Sequence, residues 1–205
     1  QALALKPDYP EAWLNHGLTL QSLDRHDEAL ASFDRALALR PAYAEALNNR
    51  AITLQALNRP AEALASCDRA LALRPDFAAA FNNRGTTLQS LNRPDEALAS
   101  FNRALALKAD DPATLNNRGN TLESLNRPEE ALESFDRALR LQPEYAEAHH
   151  NRGNALQATG RTREALASYQ RALAIKPDYP YLPGTCLYTR MRMCDWTGLG
   201  TLVDQ

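Results

Sequence analysis

The residues best suited to chemistry are asparagines that recur every 34 residues along the chain. A primary amide carries both hydrogen-bond donors and an acceptor, so it can pair with the C=O and the N–H of a peptide backbone. The uninterrupted series consists of Asn15, Asn49, Asn83, Asn117 and Asn151. Asn48, Asn82 and Asn116 directly precede three of these, and Asn120 and Asn154 follow two of them by three residues. The pattern predicts a row of amides that can hold an extended polypeptide without demanding one sequence.

The same asparagines also have a structural interpretation, because their amides can bond one repeat to the next. Repeat arrays use their concave surfaces to bind ligands. We therefore favour the binding interpretation and keep the structural one open.

Residues suited to catalysis lack the spacing that catalysis needs. The four histidines are His16, His26, His149 and His150, and none has a partner at metal-ligand spacing. His149 and His150 are adjacent, so on a helix they point about 100° apart. Acidic residues recur in every repeat, which argues against a unique acid/base pair. The three cysteines, Cys67, Cys186 and Cys194, form neither a disulfide framework nor a zinc spacing. We expect no enzyme activity in this chain, no metal and no cofactor.

Two amphipathic helices in each 34-residue unit must position the asparagines. In the unit at 75–108, Asn92 suits the left-handed residue that ends the first helix, and Pro94 suits the first turn of the second. The predicted pairs run from Pro10 to Leu39, Ala44 to Leu73, Ala78 to Leu107, Pro112 to Leu141 and Ala146 to Ile175. The predicted repeats are 7–40, 41–74, 75–108, 109–142 and 143–176, with the end of an upstream repeat at 1–6. Asp111 is the expected N-cap where Ala109 replaces the usual proline, and no break is expected there.

Small residues stand where the two helices of a unit should cross, such as Gly85 on the first and Ala97 on the second. Cys67 replaces the aromatic residue of its sister repeats, which predicts a small buried hydrophobe. Arginine usually precedes the small residue of the first helix and has an acid sixteen residues earlier. This spacing predicts ion pairs of Asp34 with Arg50, Asp68 with Arg84, and Asp136 with Arg152.

The motif of large, Gly, large, Ala, aromatic, Ala and Pro resembles the signature of tetratricopeptide repeats. In the first copy it consists of Trp13, Gly17, Leu20, Ala29, Phe33, Ala36 and Pro41, and five copies cover residues 7–176. The resemblance implies an all-α fold, a right-handed superhelix of helix-turn-helix repeats whose first helices line the concave face. It also implies a module for protein–protein interaction.

Charge and hydropathy limit the classes of partner. The net charge is −2 with no block of one sign, so no nucleic-acid partner is expected. No apolar run approaches the roughly 18 residues that a membrane span needs. We expect a soluble, cytoplasmic protein that does not enter membranes and that binds a polypeptide or protein ligand.

Residues 177–205 depart from the repeat pattern. Leu182, Cys186 and Met193, helped by Leu187 and Met191, predict a helix that caps the last repeat. Tyr181 to Gly184 and Met193 to Leu199 resemble the junction at which bacterial O-linked N-acetylglucosamine transferase-like proteins pass from repeats into a glycosyltransferase. This resemblance implies that the array recruits acceptor polypeptides through an asparagine ladder and that every catalytic residue lies outside this chain.

A stand-alone scaffold or self-assembling module is the alternative. The chain begins in the middle of a repeat pattern, which predicts an uncovered apolar edge at the N-terminal face and stacking or homo-oligomer contacts through the array ends.

Overall fold

The computed structural model describes residues 8–193, and the chain divides into two compact units, residues 1–109 and 110–205. Each unit is described by itself. The described residues form eleven α-helices and no strand, so the all-α prediction is confirmed. None of these helices is long and apolar enough to cross a membrane.

The helices follow the predicted pairs. The first unit contains α1 (Pro10–Ser22), α2 (His26–Leu39), α3 (Ala44–Ala56), α4 (Pro60–Leu73), α5 (Ala78–Ser90) and α6 (Pro94–Leu107). The second contains α7 (Pro112–Ser124), α8 (Pro128–Leu141), α9 (Ala146–Ala158), α10 (Thr162–Ile175) and α11 (Leu182–Arg192). The predicted ends of all five helix pairs are confirmed.

The turn inside each pair uses a left-handed residue, as predicted. Asn58, Asn92 and Asn126 have φ between 55° and 57°, and Asp24 and Gly160 take the equivalent place in the outer repeats. Asp111 caps α7 by accepting a hydrogen bond from the backbone N–H of Thr114 at 3.1 Å. The predicted cap is therefore confirmed. The division into two units falls just before it, so an unbroken array across this junction stays a prediction.

Each unit has two layers of helices. In the first unit, α3 packs against both α1 and α5, whereas in the described residues no Cα atom of the second helix α2 lies within 8 Å of a Cα atom of α4. In the second unit α7 contacts α9, while in its described part no Cα atom of α8 lies within 8 Å of a Cα atom of α10. Because the first helices approach each other more closely than the second helices do, they form the inner, concave layer of each unit.

Aromatic residues of the second helices fill the space that glycines of the first helices leave. A Cβ atom added to Gly85 would lie 2.6 Å from the ring of Phe101, and Gly17 has the same relation to Phe33. In the second repeat both residues change, since Ala51 replaces the glycine and Cys67 the aromatic residue. Cys67 is fully buried, and burial raises the pKa of its thiol to about 12. The prediction of a small buried hydrophobe is confirmed.

The three predicted ion pairs between repeats are confirmed. Arg50 lies 2.7 Å from Asp34, Arg84 lies 2.7 Å from Asp68, and Arg152 lies 2.6 Å from Asp136. Each arginine also donates to a serine on the second helix of its own repeat, as Arg84 does to Ser100 at 2.7 Å. One guanidinium thus joins three helices, which gives a physical reason for arginine at this position.

Helix α11 packs against α10 and buries Leu182 and Cys186. One part of the predicted cap is wrong, because Met191 is 47% exposed. It follows Cys186 by five residues, which turns it about 140° around the helix and away from the covered face. The proposed junction residues Cys194 to Leu199 and the opening residues Gln1 to Pro7 lie outside the described part of the chain.

Candidate polypeptide-binding face

The outward side of the first helices in the first unit is a stripe that begins at each asparagine and continues three and seven residues later. We call these nine residues the inner face of the first unit. They are Asn15, Leu18 and Ser22 on α1, Asn49, Ile52 and Ala56 on α3, and Asn83, Thr86 and Ser90 on α5. All are exposed or half-buried, so a ligand can reach this stripe.

Glutamines hold successive first helices in register beneath this face. The Gln21 side-chain amide donates to the backbone carbonyl of Asn49 at 3.2 Å and to Thr53 Oγ1 at 2.7 Å. Gln55 makes the same two bonds to Asn83, at 2.9 Å, and to Thr87. These glutamines are not among the residues predicted from the sequence, although their 34-residue recurrence was a usable signal.

The asparagine amides of the first unit fall into two groups. Asn83 Nδ2 donates to Asn48 Oδ1 at 2.8 Å, and Asn48 is buried. This pair joins two repeats, as the structural interpretation expects. In contrast, Asn49 Nδ2 donates to the carbonyl of Glu45 within its own helix, and Asn15 is exposed. Within residues 8–109, neither Asn15 nor Asn49 donates a side-chain hydrogen bond to a neighbouring repeat.

The second unit contains the same kind of bond between repeats. Asn151 Nδ2 donates to Asn116 Oδ1 at 3.0 Å, and Asn116 is fully buried with its own amide 3.3 Å from Glu147. The half-buried asparagines on the inner side of α7 and α9 are Asn117, Asn120, Asn151 and Asn154. The Tyr169 hydroxyl lies 2.9 Å from Asn154 Oδ1 and 3.0 Å from Gln157 Oε1, so its single hydrogen serves one of two competing acceptors.

Glu123 occupies the register position of Gln21 and Gln55, whose side chains donate to the backbone carbonyl of the next first helix. An ionised carboxylate has no hydrogen to donate, and burial raises the pKa of Glu123 to about 7. In the folded protein the Glu123 carboxyl therefore keeps its proton up to a higher pH than it does in the unfolded chain. The contribution of this residue to stability is lost as the pH rises from about 4.5 through about 7.

We expect Glu123→Gln to be more stable than the original protein by about 1 kcal/mol at pH 8 and nearly equal to it at pH 4.5, because the amide keeps the donor at every pH. Urea unfolding of both proteins at the two pH values measures this. Comparing the two proteins cancels the titration of His149 and His150, whose pKa values burial lowers. A stability difference that does not change with pH would contradict the prediction.

The histidines of the second unit pack rather than form a site. The Tyr179 hydroxyl lies 3.4 Å from His150 Nδ1, and His149 Nε2 lies 2.9 Å from the carbonyl oxygen of Pro143. Within residues 8–193, no group of three or more His, Cys, Asp or Glu side chains is arranged to hold a metal ion.

Helix pairs in 34-residue register, with a polar inner layer, define a helical-repeat protein. The family model described as "Tetratricopeptide repeat" matches residues 8–76, 42–110, 76–144 and 110–178. The chain therefore belongs to the tetratricopeptide repeat family, whose arrays are modules for protein–protein interaction. No curated protein matches the chain.

Solved structures of similar fold agree with this assignment. The chain is similar to YrrB, described as a TPR protein with an unusual peptide-binding site, at 25% identity and a TM-score of 0.70, covering 90% of this chain and 95% of that one. TTC0263, a thermophilic TPR protein of Thermus thermophilus, is 24% identical with a TM-score of 0.73, covering 89% and 100%. Pseudomonas aeruginosa pilF is 20% identical with a TM-score of 0.84, covering 94% and 88%. The last two similarities concern the fold alone.

Proposed function

We propose that this chain binds extended polypeptide segments along the asparagine-bearing inner faces of its units. The observation that carries the proposal is the placement of Asn15 and Asn49 on the accessible stripe, where within residues 8–109 neither side-chain amide bonds to another repeat. Each amide can donate to a ligand carbonyl and accept from a ligand N–H. The buried Asn48 and Asn116 act by holding Asn83 and Asn151 in place.

Two further points support a polypeptide ligand. The YrrB structure is described as having a peptide-binding site, and it covers nearly the whole of this chain. The inner face of the first unit also contains no ionisable side chain, so it offers amides, hydroxyls and aliphatic groups. Such a surface suits a neutral backbone better than a nucleic acid or another polyanion.

The two groups of asparagines give a matched test. We expect Asn15→Ala with Asn49→Ala to weaken the binding of fluorescein-labelled, unstructured 12-residue peptides of mixed sequence about tenfold, because each lost hydrogen bond contributes about 0.5–1.5 kcal/mol. The melting temperature should stay unchanged. The control variant, Asn48→Ala, should lower the melting temperature because it removes the buried acceptor of a hydrogen bond between repeats.

Fluorescence anisotropy and thermal unfolding measure both effects. Equal peptide affinity of the original protein and the Asn15, Asn49 variant would overturn the proposal. That result would mean that the asparagines have only a structural role.

A finer proposal is that the array recruits acceptor polypeptides for a bacterial O-linked N-acetylglucosamine transferase-like protein, a glycosyltransferase. Its support is the sequence resemblance at Tyr181 to Gly184 and at Met193 to Leu199. The open reading frame tests it directly. A two-lobed transferase encoded after Gln205 would support the proposal, and a stop codon there would contradict it.

Self-assembly is the second candidate function, and one surface favours it. Tyr181 is 92% exposed, and Tyr188 and Met191 on the same side of α11 are 57% and 47% exposed. Stacking of such a surface between two copies would bury these side chains. Sedimentation of the protein beside Tyr188→Ser with Met191→Ser decides between monomer and homo-oligomer.

A further inference from the structure

The inner face of the first unit has an apolar component that the second unit lacks. Leu18 and Ile52 follow Asn15 and Asn49 by three residues, and each is 39% exposed. The equivalent residues of the second unit are Asn120 and Asn154. In two successive repeats, an accessible aliphatic side chain therefore lies beside an asparagine amide. The aliphatic group can contact a ligand side chain, and the amide can contact the ligand backbone.

The spacing of these two contacts selects a ligand conformation. The axes of neighbouring packed helices lie about 8–10 Å apart. Leu18 on α1 and Ile52 on α3 occupy equivalent positions of adjacent first helices, so we expect about that distance between them. A polyproline II segment rises about 3.1 Å per residue with three residues per turn, which places every third side chain on one face at about 9 Å. A β-strand instead returns a side chain to the same face at about 6.6 Å or 13 Å. The polyproline II repeat fits the helix spacing and the strand repeat does not.

The same conformation leaves the ligand backbone free for the asparagines. A polyproline II segment has no internal hydrogen bonds, so its N–H and C=O groups are available. One turn of a polyproline II ligand contains three residues and spans one protein repeat. Each ligand turn therefore lies beside one asparagine. One backbone contact and one side-chain contact then recur together along the first unit.

Charge at the border of the face favours a neutral ligand. The carboxylate of Glu11 is paired with Arg40, and that of Glu45 lies 2.6 Å from Arg74. These groups neutralise each other beside the stripe, and the stripe itself is uncharged. Thr86 in the third repeat is half-buried, and its hydroxyl donates to the backbone carbonyl of Asn82 at 3.2 Å, so it extends the uncharged stripe.

We infer that the first unit recognises neutral polypeptide segments in the polyproline II conformation with aliphatic side chains three residues apart, received by Leu18 and Ile52. This inference rests on the proposed binding of extended polypeptide and adds its specificity. The second unit, with asparagine at both equivalent positions, does not share this preference.

Three labelled 12-residue peptides on a Gly/Ser background test the inference. One has leucines at positions 5 and 8, one has leucines at positions 5 and 7, and one has serine at all these positions. The protein variants are Leu18→Asn with Ile52→Asn, which copies the residues of the second unit, and the control Leu23→Asn. Leu23 is 59% exposed at the end of α1 and lies outside the inner face.

We expect the peptide with leucines three apart to bind at least tenfold more tightly than the other two. The Leu18, Ile52 variant should lose that preference, and the Leu23 variant should retain it. Unaltered far-UV circular dichroism and melting temperature show that the exposed substitutions leave the fold intact.

The outcomes separate this inference from the proposed function. If all three peptides bind equally and the Asn15, Asn49 variant weakens all of them, the aliphatic specificity is overturned while polypeptide binding stands. Tighter binding of leucines two apart would overturn the polyproline II conformation. If no peptide binds even at millimolar concentration, the proposed function fails and this inference fails with it.

Discussion

Replacement of Cys67 by phenylalanine is expected to destabilise the protein by about 1–3 kcal/mol, although phenylalanine is the residue of three sister repeats. Cys67 is fully buried and clusters with Ala51, which stands where the sister repeats have glycine. A Cβ atom at Gly85 would lie 2.6 Å from the Phe101 ring. The Ala51 methyl group would meet a new ring at residue 67 in the same way.

The second change Ala51→Gly is expected to recover most of the lost stability, because it restores the glycine and aromatic combination of the other repeats. Alone it should cost about 1 kcal/mol, since glycine is a poor helix former. Urea unfolding of the two single variants and the double variant measures the coupling between the residues. Additive losses would show that the two positions are independent and would contradict the prediction.

Phe135→Ala is expected to lower the free energy of unfolding by about 3–5 kcal/mol. Phe135 is fully buried on α8, and its ring fills the space that Gly119 leaves on α7. Alanine removes the apolar contacts, and the surrounding helices cannot close the cavity because the ion pairs and turns fix their spacing. Urea unfolding followed by circular dichroism measures the loss.

Cys67→Ala is the matched control for this change, because it alters the same position of another repeat. Cysteine loses only one heavy atom on becoming alanine, so the expected loss is about 1 kcal/mol. Similar losses from both variants would show that the aromatic ring contributes little packing energy. That result would refute our account of the core.

The sequence predicted the helices and the ion pairs well because their causes are local or periodic. An asparagine in the left-handed conformation after a first helix and a proline that starts the second helix act on their own segment, so the turn inside a pair needed no tertiary information. The ion pair of Asp68 with Arg84 follows from the 34-residue repeat, which brings residues sixteen apart to adjacent helices.

The candidate site was less predictable, because side-chain burial depends on the distance between helices. Asn48 and Asn49 are neighbours of one residue type, yet the first is buried in a bond to Asn83 and the second is half-buried. Leu18 and Asn120 occupy equivalent positions on the inner faces of the two units. Placing them there required knowledge of which side of the first helix faces outward. Met191 was assigned to the wrong side of α11 because composition alone does not give the rotation of a capping helix.

The Ala51 and Cys67 pair has a consequence for folding fidelity. Near-identical repeats invite swapped assembly, in which a first helix docks against the second helix of a different repeat or a different molecule. If α3 packed against the second helix of another repeat, Ala51 would clash with an aromatic ring. If α4 packed against the first helix of another repeat, Cys67 would lie opposite a glycine and leave a cavity. The pair thus favours packing of α3 against α4 over packing of either helix against its equivalents in the other repeats.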